Sequence, residues 1–222
     1  MKTLSAILTG LILSVAALAQ NPPENPTLPT ITFDRLWEAA TPQEYIFTVK
    51  SGGTATYVSR NPTRAPEDGS EKDPDYTLDF TLSARNRDKV FKLAEQANYF
   101  DGNFAFTKHA VASTGRKTVT YADQSRHFQT VFDYSENKPV EELAHLFLAI
   151  SNTVESGRKL QFKYKYDKLG LESELQAMET AAEGGNLAEI QLIAPLLQKI
   201  AADSSVLNIA RKRARHLLDI GK

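Results

Sequence analysis

The chain of 222 residues contains no cysteine. Disulfides, thiolate metal sites, a cysteine nucleophile and a lipid-modified N-terminal cysteine are all excluded by that absence, so packing alone must hold the fold together. It also lacks an excess of either charge, with 26 Lys and Arg against 27 Asp and Glu. That balance argues against a general nucleic-acid binder, which would carry a basic face. Downstream of residue 19 there is no apolar run long enough to span a membrane. No Gly-x-Ser-x-Gly elbow occurs, which argues against an α/β-hydrolase. The four histidines, His109, His127, His145 and His216, include no two at a short ligand spacing. No metal or other cofactor is expected.

What the chain does have begins at its first residues. Lys2 precedes an apolar run from Leu4 to Ala19 that closes with Ala17-Leu18-Ala19, the small-x-small pattern of a signal-peptidase site. Residues 1–19 are expected to be a cleaved signal peptide, which makes the protein exported, periplasmic or extracellular. The run is barely long enough for a retained anchor. Residues 20–30, with four prolines, read as an extended spacer. The remaining 203 residues of a cleaved chain can bury a real core and carry a net charge of about −2.

The expected fold class is α+β: an antiparallel sheet with one packed helix over residues 31–136, and a helical region over 137–222 packed on it. Tyr45, Phe47 and Val49 alternate with polar neighbours, the turn Ser51-Gly52-Gly53-Thr54 follows, and Ala55 to Ser59 returns as a hairpin. Residues 60–75 read as a surface loop, and Tyr76, Leu78, Phe80 and Leu82 define one face of a third strand. Ser83 has N-cap chemistry for a helix bearing Val90, Leu93, Ala94 and Ala97. Two more strands are expected at 117–122 and 127–134. From Asn137, a second cap, Val140, Leu143, Leu146, Phe147, Ile150 and Val154 form a helical stripe. Leu160, Phe162, Tyr164 and Tyr166 then alternate as in a strand. Helix is favoured for 158–167, because only Gly157 intervenes and no hairpin turn is visible. A short helix near 172–182 and a helical pair, 187–202 and 206–220, complete the expectation.

Two resemblances accompany these patterns. Ile193-Ala194-Pro195-Leu196-Leu197, the turn Asp203-Ser204-Ser205, and Val206 with Arg211, Ala214, Leu217 and Leu218 resemble one HEAT-type repeat. No second copy occurs at a period of about 40 residues, and a plain helical hairpin is the simpler reading. Thr114-Gly115-Arg116-Lys117, Phe132-Asp133-Tyr134-Ser135 and Ile150-Ser151-Asn152-Thr153 together resemble a family of uncharacterised exported bacterial proteins. That resemblance implies a compartment and no activity.

Candidate chemistry is sparse. Glu142 and His145 stand at i, i+3, but a di-iron bundle needs two such motifs. Ser113 to Thr118 lacks the glycines of a phosphate loop and leads into a strand. Ser156-Gly157-Arg158-Lys159 matches Ser-x-x-Lys without its companion motifs. Asp73, Asp75 and Asp79 cluster at the loop leading into the third strand and Asp101 follows the helix; they read as solvated surface, with a weak calcium site or a glycosidase carboxylate pair as the functional alternatives. The sharpest charge feature is the last helix, where Arg211, Lys212, Arg215 and His216 share one side and form a possible partner-binding surface. Basic residues late in a helix also complement its dipole. Arg213 lies toward the apolar side, where a carboxylate of a neighbouring helix is expected to meet it.

The function read from these features is a non-catalytic binding protein of the cell envelope, contacting a protein or envelope polymer through the sheet's open edge or the basic helix. The competitors are an envelope hydrolase with carboxylates assembled from distant residues, and a purely structural component. Two unpartnered carboxylates facing each other in a cleft would favour the enzyme; a basic or apolar patch would favour the binder.

Overall fold

The computed structural model describes residues 27–62 and 75–222; the segment expected to be a signal peptide, most of the expected spacer and Asp73 lie outside the described residues. Six strands, β1 (Thr30–Leu36), β2 (Glu44–Lys50), β3 (Thr54–Arg60), β4 (Tyr76–Thr81), β5 (Arg116–Ala122) and β6 (His127–Phe132), form one sheet in the order β4-β3-β2-β1-β5-β6. Every neighbouring pair is antiparallel. The hairpin, third strand and β5–β6 pair therefore stand where the alternation placed them. β1, one of the two central strands, has inward residues Ile31, Phe33 and Arg35, all buried.

The period-two pattern gives the sheet one covered face and one open one. Phe33, Phe47, Tyr57 and Val119 line up across four strands on the covered side and are completely buried. The other side carries Thr32, Thr48, Thr56 and Thr120 in a corresponding row. Two helices cover the apolar face: the one expected within the sheet module, and the first helix of the region expected to pack on it. α1 (Ala84–Gln96) starts at Ser83, whose Oγ accepts from the Asn86 N–H, and buries Val90, Leu93 and Ala94. α2 (Lys138–Tyr166) starts at Asn137, whose Oδ1 accepts from the Val140 N–H.

α2 has 29 residues, a length of roughly 43 Å at 1.5 Å per residue. Val140 to Val154 contribute to the sheet's core. Leu160 and Tyr164 belong to a second core shared with α3 (Leu171–Glu183), α4 (Ala194–Ala202) and α5 (Asn208–Ile220). The strand-like alternation at 160–166 is thus two interleaved i, i+4 pairs. Leu160 and Tyr164 face the second core, while Phe162 and Tyr166 face solvent with ring centroids 5.0 Å apart.

The expected helix over 187–202 is shorter than its pattern. Ala188 instead donates its N–H to the Ala149 carbonyl of α2, and Glu189 takes a left-handed backbone, φ 60°. A 3-10 turn at Ile190–Ile193 then leads into α4. Val206, expected to open the last helix, is buried in the turn before α5.

Gly157 sits where α2 meets this turn. A Cβ at Gly157 would overlap the Cγ2 of Ile193, a stiff β-branched side chain in a packed core. Gly157→Ala is expected to cost about 1 to 3 kcal/mol despite alanine's better helix propensity. Urea unfolding should show the loss, and Ile193→Ala in the same chain should recover part of it. A stabilised Gly157→Ala protein would refute the close approach.

Candidate functional site

The most elaborate polar constellation lies where α2 passes the ends of β3 and β4. Tyr57, inward on β3, has its hydroxyl 3.0 Å from Ser151 Oγ and donates to Glu155 Oε1 at 2.9 Å. Ser59, two residues along, donates to the same oxygen at 2.9 Å. Arg158, one turn after Glu155, donates to Glu155 Oε2 at 3.0 Å and holds its guanidinium 4.2 Å from the Tyr76 ring centroid. Burial, reinforced by the Glu155 charge, pushes the Tyr57 hydroxyl far above its ordinary pKa. Tyr57 is therefore a neutral donor. Glu155, with both oxygens engaged, is a structural acceptor rather than a free base.

This network separates two clefts. The larger, a groove of about 650 Å³, runs between β4, α2 and α4. Leu78, Val154, Ile193 and Leu196 give it an apolar lining, and Arg158, Lys165, Lys168 and Lys199 supply its charge; no carboxylate lines it. Lys168 is shared with Asp203, at 2.8 Å, beside Tyr164, whose hydroxyl donates to the same carboxylate at 3.0 Å. Lys165 and Lys199 make no ion pair among the described residues.

The second cleft, about 520 Å³, lies on the other side of α2 and includes Trp37, Tyr45, Leu148, Asn152, Ser156 and Lys159. Both ends of the Ser-x-x-Lys motif therefore reach one cleft. Gly115, at φ +93°, admits Trp37 so closely that a Cβ would lie 2.6 Å from the Trp37 Cβ. It acts as a turn glycine leading into β5, in keeping with the strand expected there. Neither cleft brings two unpartnered carboxylates together.

The other sequence candidates are dispersed. Arg215 donates to the Ala201 carbonyl at 3.2 Å, at the end of α4. His216 lies 3.0 Å from Glu179 of α3, and Arg213 pairs with Glu172 and Glu179, the interhelical carboxylates its position called for. Arg211 has its Nε buried, and Lys212 is exposed. The basic run thus faces α3 and α4 as well as solvent. Asp75 lies 4.0 Å from Arg60, Asp79 accepts from Thr56 at 2.6 Å, and Asp101 is exposed after the turn that ends α1, so these acids form no cluster. Glu142 and His145 are exposed. No group of three His, Asp or Glu side chains among the described residues is placed to hold a metal ion.

Carboxylates outside the clefts carry the pH response. Lys168 and Ser205 hold the Asp203 carboxyl well below the usual range, as Arg126 and Ser125 do for Asp123. A lowered folded pKa contributes stability that is full above the unfolded value, about pH 4, and is lost as pH falls toward the folded value. Urea midpoints should therefore fall between about pH 4 and pH 2, and less steeply in Asp123→Asn and Asp203→Asn. An unchanged slope in both variants would remove these two carboxylates as its source.

The groove residues escaped sequence reading because they come from three distant segments. The available signal was the Glu155-x-x-Arg158 pair beside an apolar stripe. Comparison of the sequence with models of protein families and with curated proteins gives no match. Among the described residues no helix is long and apolar enough to cross a membrane.

Proposed function

We propose that this is a non-catalytic, exported binding protein of the cell envelope, and that its ligand-binding site is the groove between β4, α2 and α4. The observation that carries this reading is the groove's composition: an apolar lining, four cations and no carboxylate. Such a site recognises a ligand with apolar bulk and negative charge, the first contributing burial energy and the second orientation and encounter rate. Export rests on the N-terminal pattern of Lys2, the apolar run and Ala17-Leu18-Ala19.

Anilinonaphthalene sulfonate, an apolar anion whose fluorescence rises on burial, tests the groove directly. Saturable binding is expected, weakened roughly tenfold in a Lys165→Glu/Lys199→Glu variant, a difference of about 1.4 kcal/mol. Asp203→Asn, which releases Lys168, should tighten binding. Equal affinity in the wild-type and double-variant proteins would place the probe elsewhere and overturn the reading.

A further inference from the structure

The groove borders an unpaired strand edge. Leu82 donates its N–H to the Gly53 carbonyl of the turn before β3 at 2.9 Å, which fixes the phase of the β3–β4 ladder. Period two then turns the N–H and C=O groups of Tyr76, Leu78 and Phe80 toward β3, and those of Thr77, Asp79 and Thr81 away from it. No hydrogen bond among the described residues uses the outward groups. Side chains show the same incompleteness. Ala55, Tyr57 and Ser59 of β3 are buried, whereas their cross-strand partners Phe80, Leu78 and Tyr76 are only half-buried.

Charge gives this edge a direction. Ser151 meets Tyr57, the partner of Leu78, and Glu155 meets Ser59, the partner of Tyr76. Progress along α2 toward its C-terminus is therefore progress toward the N-terminal end of β4. Lys165 lies two turns beyond Arg158, and Lys168 follows it, so the cationic end of the groove lies past Tyr76. A strand added antiparallel to β4 would run from Phe80 toward Tyr76 and end among these cations.

Resting on the groove reading, we infer that the ligand is an extended peptide that pairs antiparallel with β4 and delivers its C-terminal carboxylate to Lys165, Lys168 and Lys199. Alternate apolar side chains enter the groove beside Leu78 and Val154. The other set lies on the open face beside Thr77, Asp79 and Thr81, where Asp79 disfavours an acidic neighbour. Main-chain bonds give affinity, and the groove and cations give register and polarity.

The test uses a fluorescent peptide of about eight residues, alternating valine with threonine or lysine and ending in a free carboxylate, measured by anisotropy against the full chain. The expected result is saturable binding that falls roughly tenfold when the C-terminus is amidated. N-methylation at the open-face positions, whose N–H groups would meet β4, should abolish binding; N-methylation at the groove-facing positions should spare it. Thr77→Pro removes one outward N–H without touching the β3 ladder, and should weaken the peptide but not anilinonaphthalene sulfonate. Indifference to N-methylation overturns strand addition, and indifference to amidation overturns the polarity. Sulfonate binding without peptide binding refutes the inference while leaving the groove reading intact, and failure of both ligands removes both.

Discussion

Phe147→Ala should lower stability by about 3 to 5 kcal/mol, the range for an aromatic removed from a core that cannot collapse around the gap. Phe147 is completely buried, and its ring stacks at 4.9 Å on Phe33 of β1 and at 5.0 Å on Phe47 of β2. Those two residues face each other across the sheet's central pair. One side chain thus seats α2 on the middle of the sheet, and the strands, fixed by their ladders, cannot close the space it would leave. At roughly 2 to 4 °C per kcal/mol for a chain of this size, the melting temperature should fall by about 6 to 20 °C. Leu148→Ala, next along α2 but on a partly exposed position, should change stability by less than about 1 kcal/mol. Urea unfolding of both variants checks the contrast. Similar losses from the two would mean that α2 is not seated through Phe147.

Glu189→Ala should be a costly change outside the apolar cores, at roughly 2 kcal/mol, because it leaves several partly buried donors without their charged acceptor at once. The Glu189 carboxylate accepts from the Ser83 hydroxyl at 2.5 Å, the Ser83 N–H at 3.1 Å, Asn86 Nδ2 at 2.6 Å and the Gln191 amide. Ser83 is the cap of α1, so a negative charge delivered from the helical region sits at the positive end of a helix on the sheet. Glu189→Gln should recover part of the loss, since the Ser83 hydroxyl and the Asn86 and Gln191 amide oxygens can accept from its amide nitrogen while the charge at the α1 N-terminus is gone. Because the 3-10 turn after Glu189 supplies Ile193 to the groove, Glu189→Ala should also weaken anilinonaphthalene sulfonate binding. Chemical denaturation and probe titration of the same samples test both consequences. Wild-type stability in Glu189→Ala would show that the tie carries no net energy.

Much of this fold can be read from local signals. Alternation at Tyr45-Phe47-Val49 and Tyr76-Leu78-Phe80, and the caps Ser83 and Asn137, stand in the structure at their expected places. Each depends on neighbours within a few residues. β1 was harder to distinguish because Arg35 occupies an inward position; its guanidinium is accommodated by donation to the Thr114 carbonyl and by the rings of Trp37 and Tyr45. The end of the 187–202 pattern was invisible for a similar reason. Nothing local marks Glu189 for a left-handed backbone; its distant partners Ser83 and Asn86 account for its position. The groove is less legible still. Leu78, Arg158 and Lys199 become neighbours only after β4, α2 and α4 have docked, and a single sequence carries no record of that juxtaposition.

The length of α2 bears on how the molecule can come apart. Its first half belongs to the sheet's core and its second half to the helical core, with Gly157 at the crossing. A cut near residue 136 would uncover Ile31, Phe33 and Phe47 on one side and leave Leu143, Phe147 and Ile150 without a surface on the other. The two regions are expected to behave as a single cooperative unit: amides in the middle turns of α2 should exchange with solvent only when both halves open, and denaturant unfolding should show one transition rather than two.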